Sequence, residues 1–195
     1  MGTRNLTVVY IDGKYKVAQY GQWDGYPEGQ GVTVLEFARS LNNPIIMEEF
    51  KRKVRASSWI GERKIKKINS DIDSGKLKEW QKVYPELSRD TCAKILNIIM
   101  ERDDGISLQN DIDFAADSLF CEWAWIIDLD AGTFEGYRGF NDHTELKEDD
   151  RFYFLRDKER GEYHCIMLAH KWKLSELPSD EDFFDAFRED EDEAV

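Results

Sequence analysis

The segment most suited to chemistry is residues 21–31, which reads Gly-Gln-Trp-Asp-Gly-Tyr-Pro-Glu-Gly-Gln-Gly. Its glycines and proline predict a loop, because these residues interrupt regular structure. Glycine lets a ligand approach the main chain closely, and Trp23 and Tyr26 offer rigid surface with a polar handle. Gln22 and Asp24 add an amide and a carboxylate, a set that suits a cation, an amine or a sugar. The loop is therefore a candidate ligand site, and a purely structural role is the competing interpretation.

Arg4 is a candidate member of the same site. It precedes the first predicted strand, and a hairpin brings the start of one strand beside the end of the other. Arg4 can then either pair with Asp24 or hold an anionic ligand. The ion pair is favoured, because arginine most often meets a carboxylate.

Catalytic groups are sparse. The only histidines are His143, His164 and His170. His164 and Cys165 are adjacent, so on a strand they point to opposite faces and cannot form a nucleophile–base pair. We predict no catalytic residue, and a binding protein is favoured over an enzyme.

Cysteine usage indicates a reducing compartment. Cys92, Cys121 and Cys165 lie far apart and form no Cys-x-x-Cys pair, so neither a disulfide framework nor a zinc cluster is expected. The first residues lack the apolar core of a secretory signal, and no apolar run is long enough to span a bilayer. We predict a cytoplasmic protein with no membrane contact, no metal and no cofactor.

The net charge of −13 is unevenly distributed. Residues 51–100 carry 13 basic and 6 acidic groups, whereas residues 101–195 carry 10 basic and 28 acidic groups. Acidic surfaces steer and select protein partners, and arrays of carboxylates can imitate a phosphate backbone. Simple solubilisation is the competing interpretation. The candidate partner-binding residues are Asp149, Asp150, Asp180, Glu181 and Asp182.

Residues 51–67 are the one basic stretch that suits nucleic acid, since basic groups surround Trp59. The acidity of the whole chain and the lack of a nucleic-acid-binding motif favour a solvated helix face instead. We therefore do not predict nucleic acid as a partner, except through this stretch.

The pattern of apolar residues predicts two hairpins, over 6–20 and 121–137. Helices are predicted over 33–42, with Thr33 as the cap, and over 88–102, and a final helix begins near Ser179. Further strands are predicted at 151–156 and 162–172. Strands at both ends with helices between them predict an α+β fold, with one antiparallel sheet built from both hairpins and the central helices packed on it. Residues 1–188 form a single domain in this prediction, and 189–195 form an acidic, disordered tail.

The opening Met1-Gly2-Thr3-Arg4-Asn5-Leu6 and the segment Tyr20-Gly21-Gln22-Trp23-Asp24-Gly25-Tyr26-Pro27-Glu28-Gly29-Gln30-Gly31 carry a resemblance. They are similar to a group of uncharacterised proteins from bacteria, bacteriophages and, in looser form, fungi. The resemblance implies that the loop with Thr3 and Arg4 is a shared feature and that the source is a phage or prophage. It implies no activity.

The leading functional hypothesis is a non-enzymatic, phage-encoded interaction protein whose acidic surface binds a host protein, such as a component of host defence. The alternative is a small-molecule-binding protein or hydrolase with its site at the loop 21–31. Convergence of Arg4, Gln22, Trp23, Asp24 and Tyr26 on one concave pocket would favour the alternative. The oligomeric state is not predicted.

Overall fold

The computed structural model describes residues 2–159 and 161–192. Its strands are β1 (Asn5–Ile11), β2 (Lys14–Gly21), β3 (Ser58–Trp59), β4 (Ser107–Leu108), β5 (Trp123–Asp128), β6 (Thr133–Arg138) and β7 (Met167–Lys173). Five of them form the main sheet, in the order β2-β1-β5-β6-β7, and β3 pairs with β4 in a small parallel ribbon.

Helices connect and cover these strands. The α-helices are α1 (Val32–Ser40), α2 (Pro44–Ala56), α3 (Glu62–Asp73), α4 (Trp80–Val83), α5 (Ile95–Glu101) and α6 (Asp180–Asp192). Short 3-10 helices occur at Pro85–Leu87, Cys92–Lys94, Ile112–Ala116, Tyr153–Lys158 and Leu174–Glu176, and one π-helical turn spans Pro27–Gly31.

The α+β class is confirmed, and both predicted hairpins lie in one sheet. The expectation of a wholly antiparallel sheet is corrected at one place, because β1 and β5 run parallel, with Val8 opposite Ile126. Both strands are almost continuously buried. Strands covered on both faces need a nearly unbroken apolar run, as in parallel pairs, and the runs in β1 and β5 meet this requirement. The sheet is therefore mostly antiparallel, with its two hairpins joined through a central parallel pair.

A core lies on each face of the sheet. The helical face carries residues of β5 such as Trp125 and Ile127, packed against α1, α2, α5 and α6. The loop face carries alternate residues of the same strands, such as Ala124 and Ile126, packed against Ile112–Ala116 and Tyr153–Lys158. Alternation along each strand sends successive side chains to opposite faces, so one set of strands supplies both cores.

Two predicted elements need correction. The predicted strand 151–156 is wrong, since Tyr153–Lys158 is a 3-10 helix. The predicted helix 88–102 begins later, as Cys92–Lys94 followed by α5. Helix α6 extends from Asp180 to Asp192, and residues 193–195 of the predicted tail lie outside the described residues.

Candidate functional site

Arg4 does not pair with Asp24, and the predicted ion pair is wrong. The Nε atom of Arg4 lies 3.6 Å from Oε1 of Glu122, and its guanidinium lies 4.5 Å from the centre of the Phe120 ring. The backbone N–H of Arg4 also donates to Oε1 of Glu122, at 3.1 Å. Arg4 therefore ties the N-terminal segment to the start of β5.

The other predicted loop residues contact different parts of the protein. The indole N–H of Trp23 donates to Asp90 at 2.8 Å, and Gln22 accepts a hydrogen bond from the Tyr20 hydroxyl at 2.7 Å. Trp23 is 45% exposed and Tyr26 is 40% exposed. Among the described residues, no hydrogen bond or ion pair joins any two of Arg4, Gln22, Trp23, Asp24 and Tyr26. A ligand site at this loop therefore stays a prediction, supported by its two exposed rings.

Main-chain contacts hold the loop against the sheet. The indole N–H of Trp125 donates to the Gly25 carbonyl at 2.9 Å, and Gly25 N–H donates to Thr3 at 2.9 Å. Gly31 lies so close to Trp125 that an added Cβ would meet the ring at 2.7 Å. The absence of a side chain at these glycines thus lets the loop backbone approach the buried indole.

Replacing Gly29 by alanine tests how tightly this loop is packed. A Cβ at Gly29 would lie 2.1 Å from the Asp24 carbonyl oxygen, so the backbone must shift. We expect the free energy of unfolding, measured by urea denaturation, to fall by about 1–3 kcal/mol, as for overpacked sites. The control is Gly61→Ala, where nothing lies within 4 Å of the new atom. Equal stability of the two variants would show that the loop accommodates the added methyl group without a loss of stability.

A cavity on the loop face offers a second candidate site. Its volume is about 490 Å³, and it opens where β7 forms one edge of the sheet. Its lining combines charged and aromatic side chains with one leucine: Tyr10, Tyr15, Asp128, Glu135, Tyr137, Asp149, Asp150, Arg151, Phe154, Leu168 and Lys171. Of the residues predicted from the sequence, Asp149 and Asp150 are placed here.

A network of ion pairs forms the floor of this cavity. Arg151 donates to both oxygens of Glu135, at 2.8 and 2.9 Å, and to Asp128 at 2.5 Å. Lys171 lies 3.0 Å from Glu135, which also accepts hydrogen bonds from Thr133 and Tyr137. Glu135 is only 1% exposed, so its charge requires these partners. Two carboxylates and two cations therefore balance each other.

The pKa values reflect this balance. Burial alone would raise the pKa of Glu135, but the hydrogen bonds and charge of Arg151, together with Lys171 and Thr133, leave it lowered. Burial likewise opposes the charged form of Arg151, yet its bonds to Glu135 and Asp128 raise its pKa. Burial raises the pKa of Tyr15 to about 12. At neutral pH the floor thus holds a charged, mutually neutralised network next to protonated tyrosines.

The rim of the cavity is both acidic and apolar. Asp149 and Asp150, here called the acidic rim, are exposed. Phe154 and Leu168 are 49% and 44% exposed beside them. Leu168 reaches this face because β7 contains a bulge: Tyr137 pairs with Leu168 and Gly136 with His170, which leaves Ala169 as an extra residue. The bulge places Leu168 and Lys171, three positions apart, on the same side.

The second predicted acidic cluster lies elsewhere. Helix α6 packs on the helical face through Phe183 and Phe187, whereas the acidic rim borders the loop face. Asp180 pairs with Arg39 at 2.6 Å, and Asp182 accepts a hydrogen bond from Ser179 at 2.6 Å. Glu181 is exposed. Asp180 and Asp182 thus have intramolecular partners, and the two clusters do not share one face.

The basic stretch 51–67 is largely engaged with the protein's own carboxylates. Lys53 is buried and pairs with Glu49, and Arg55 pairs with Asp12 at 2.8 Å. On α3, Lys66 pairs with Glu62 and Lys67 with Asp71. These contacts favour the interpretation of a solvated helix face over a nucleic-acid surface.

A larger cavity of about 640 Å³ lies beside Tyr20 and Phe114, also on the loop face. Three of its carboxylates have partners within the protein. Asp111 accepts a hydrogen bond from Tyr20 N–H, Asp113 pairs with Lys158, and Glu159 lies 3.1 Å from His164. These contacts fasten the surrounding segments to the sheet.

Comparisons of the chain with protein-family models, with curated proteins and with solved structures find no match. Within residues 2–159 and 161–192, no helix combines the length and the hydropathy needed to cross a bilayer. The same residues contain no group of three or more histidine, cysteine, aspartate or glutamate side chains placed to hold a metal ion. All three cysteines are free and buried.

Proposed function

We propose that the protein is a non-enzymatic interaction protein that binds a partner protein through the acidic surface around the loop-face cavity. The resemblance of its N-terminal segment to phage proteins makes a host protein, such as a component of host defence, the proposed partner. The observation that carries the proposal is the acidic rim: Asp149 and Asp150 lie beside exposed Phe154 and Leu168 at the mouth of the cavity.

The combination of charge and exposed apolar surface supports binding. Exposed apolar groups rimmed by polar residues are typical of interaction sites, because their burial by a partner is favourable. The surrounding carboxylates accelerate association with a basic partner and select against acidic ones.

The chemistry of the floor supports a role without catalysis. The lining residues include no histidine, cysteine or serine. Glu135 and Arg151 form an ion pair with each other. If either group left this pair to take part in a reaction, the other would be a buried charge without compensation. These groups are suited to fixing the shape of the cavity.

Capture of the partner from a bacterial lysate tests the proposal. The tagged wild type and the double variant Asp149→Asn, Asp150→Asn are compared at rising salt concentration. We expect the wild type to retain a partner that the variant loses, and retention to weaken as salt rises past about 0.1 M, where the Debye length is about 10 Å. The matched control is Asp103→Asn, Asp104→Asn, an adjacent exposed acidic pair outside the cavity.

The same capture discriminates between the two acidic clusters. A variant with Asp180, Glu181 and Asp182 all neutralised should still retain the partner if the acidic rim carries binding. A partner retained equally by the wild type and the Asp149, Asp150 variant, at all salt concentrations, would contradict the proposal.

A further inference from the structure

We infer that the loop-face cavity is a socket for one arginine side chain of the partner, next to an apolar side chain that covers Phe154 and Leu168. This inference rests on the proposed function and specifies the chemistry of the partner. The cavity volume of about 490 Å³ lies within the range of about 300–1,000 Å³ that ligand pockets show.

The floor argues against an anionic occupant. Both oxygens of Glu135 and both oxygens of Asp128 accept hydrogen bonds: Arg151 donates to each carboxylate, and the backbone N–H groups of Asp130 and Ala131 donate to Asp128. The lining carries four carboxylates, Asp128, Glu135, Asp149 and Asp150, against two cations, Arg151 and Lys171. An anion that entered the cavity would therefore meet a net negative charge.

The rim, in contrast, has negative charge to offer. The carboxylate of Asp149 makes no hydrogen bond or ion pair with any residue that the structure describes. Asp150 accepts one hydrogen bond through Oδ2, from the backbone N–H of Lys147 at 2.7 Å. The charge at the mouth is therefore uncompensated, which makes the cavity complementary to a cation.

The walls favour arginine among the cations. Tyr15 lies 5.0 Å from Tyr10 and 5.6 Å from Phe154, measured between ring centres. A planar guanidinium stacks on aromatic rings and donates in a fork to a carboxylate, whereas an ammonium is a compact, strongly hydrated charge. Arg151 already lies over the Tyr10 ring, at 5.2 Å, so one aromatic ring of this cavity accepts a guanidinium on its face.

Binding of defined peptides tests the inference. The probe is an acetylated and amidated pentapeptide, Gly-Leu-Arg-Leu-Gly, titrated into the full chain and followed by NMR. The matched peptide carries citrulline, which keeps the planar shape of arginine and removes its charge. We expect the citrulline peptide to bind about tenfold more weakly, since a charge-assisted contact contributes more than a neutral one.

The protein variants extend this test. The double variant Asp149→Asn, Asp150→Asn should bind the arginine peptide about tenfold more weakly than the wild type does. The double variant Asp103→Asn, Asp104→Asn should bind it with an affinity unchanged within about twofold. A lysine peptide should bind more weakly than the arginine peptide. Equal binding of the arginine and citrulline peptides, or binding indifferent to Asp149 and Asp150, would overturn the inference.

One further result would overturn the inference without touching the proposed function, namely lysate capture that depends on the acidic rim while no arginine peptide binds. A complex that proves to be a second copy of this chain, seen as a concentration-dependent increase in mass, would contradict both the inference and the proposed host partner. Tighter binding of free spermidine than of any peptide would instead assign the cavity to small amines, and would contradict both proposals.

Discussion

Replacement of Arg151 by alanine is expected to lower the free energy of unfolding by about 3–5 kcal/mol, because it leaves Glu135 and Asp128 buried with less counter-charge. Arg151 connects the two carboxylates, and Lys171 contacts only Glu135. Arg151→Lys should be more stable than Arg151→Ala but less stable than the wild type, since an ammonium cannot donate in a fork to both Glu135 and Asp128. Urea denaturation of each variant measures the effect.

In Arg151→Ala, the contribution of Glu135 to the pH dependence of stability should also change sign. In the wild type the pKa of Glu135 is lowered, so its stabilising contribution is present above the unfolded pKa and is lost as pH falls through the folded pKa. Without Arg151, burial dominates and the pKa of Glu135 should rise above its unfolded value. Stability should then fall as pH increases from the unfolded pKa of this group to its folded pKa.

The control for this prediction is Arg156→Ala, in the 3-10 helix Tyr153–Lys158 that follows Arg151. Arg156 is half-exposed and lies 4.0 Å from Asp157, so its loss should cost less than about 1 kcal/mol. A similar small cost for Arg151→Ala, with an unchanged pH profile, would show that solvent compensates the buried carboxylates.

Replacement of Trp125 by alanine is expected to cost about 3–5 kcal/mol, the range for removing a large buried ring. Trp125 is fully buried, stacks on Trp123 at 5.6 Å and lies edge-on to Phe187 at 5.4 Å. Its loss also removes the donor to the Gly25 carbonyl. We therefore expect faster amide hydrogen exchange throughout residues 21–31, in addition to the lower stability.

Two comparisons separate these effects. Trp125→Phe keeps an aromatic ring but cannot donate to Gly25, so it should loosen the loop with a smaller loss of stability than Trp125→Ala. Trp59→Ala, at a partly exposed position in β3, should change neither quantity appreciably. Unchanged exchange in the loop of Trp125→Ala would show that the loop is held by its other contacts alone.

Local signals in the sequence were sufficient to predict several elements. Asp12 and Gly13 both have positive φ, as the predicted two-residue hairpin turn requires. Thr33, in contrast, is inside α1 and donates to the Gly29 carbonyl, so the predicted cap is wrong. The π-helical turn at Pro27–Gly31 starts the helical path earlier than the residue pattern indicates.

Long-range pairing could not be predicted in the same way. Nothing local specifies that β1 runs parallel to β5, because the two strands are separated by more than a hundred residues of other structure. The predicted strand at 151–156 has suitable residues, but Arg151 anchors the chain to Glu135 and Asp128, and the following residues form a 3-10 helix.

The candidate sites show the same limit. The composition of the loop 21–31 indicates exposed Trp23 and Tyr26, yet the partner of Trp23 is Asp90 and the partner of Arg4 is Glu122, both distant in sequence. The acidic rim was predicted from charge alone. Glu135 and Lys171 are not among the predicted residues, although a glutamate between Phe134 and Gly136 in a predicted strand is a signal for a buried ion pair.

The bulge at Ala169 has a consequence for the sheet as a whole. Strand β7 is at the edge, and an edge strand with a regular backbone is a template on which another chain can add and begin to aggregate. The bulge breaks the regular spacing of its outward N–H and C=O groups, and Lys171 and Lys173 place positive charge along the same strand. We therefore expect the protein to resist edge-to-edge polymerisation even when its concentration is high.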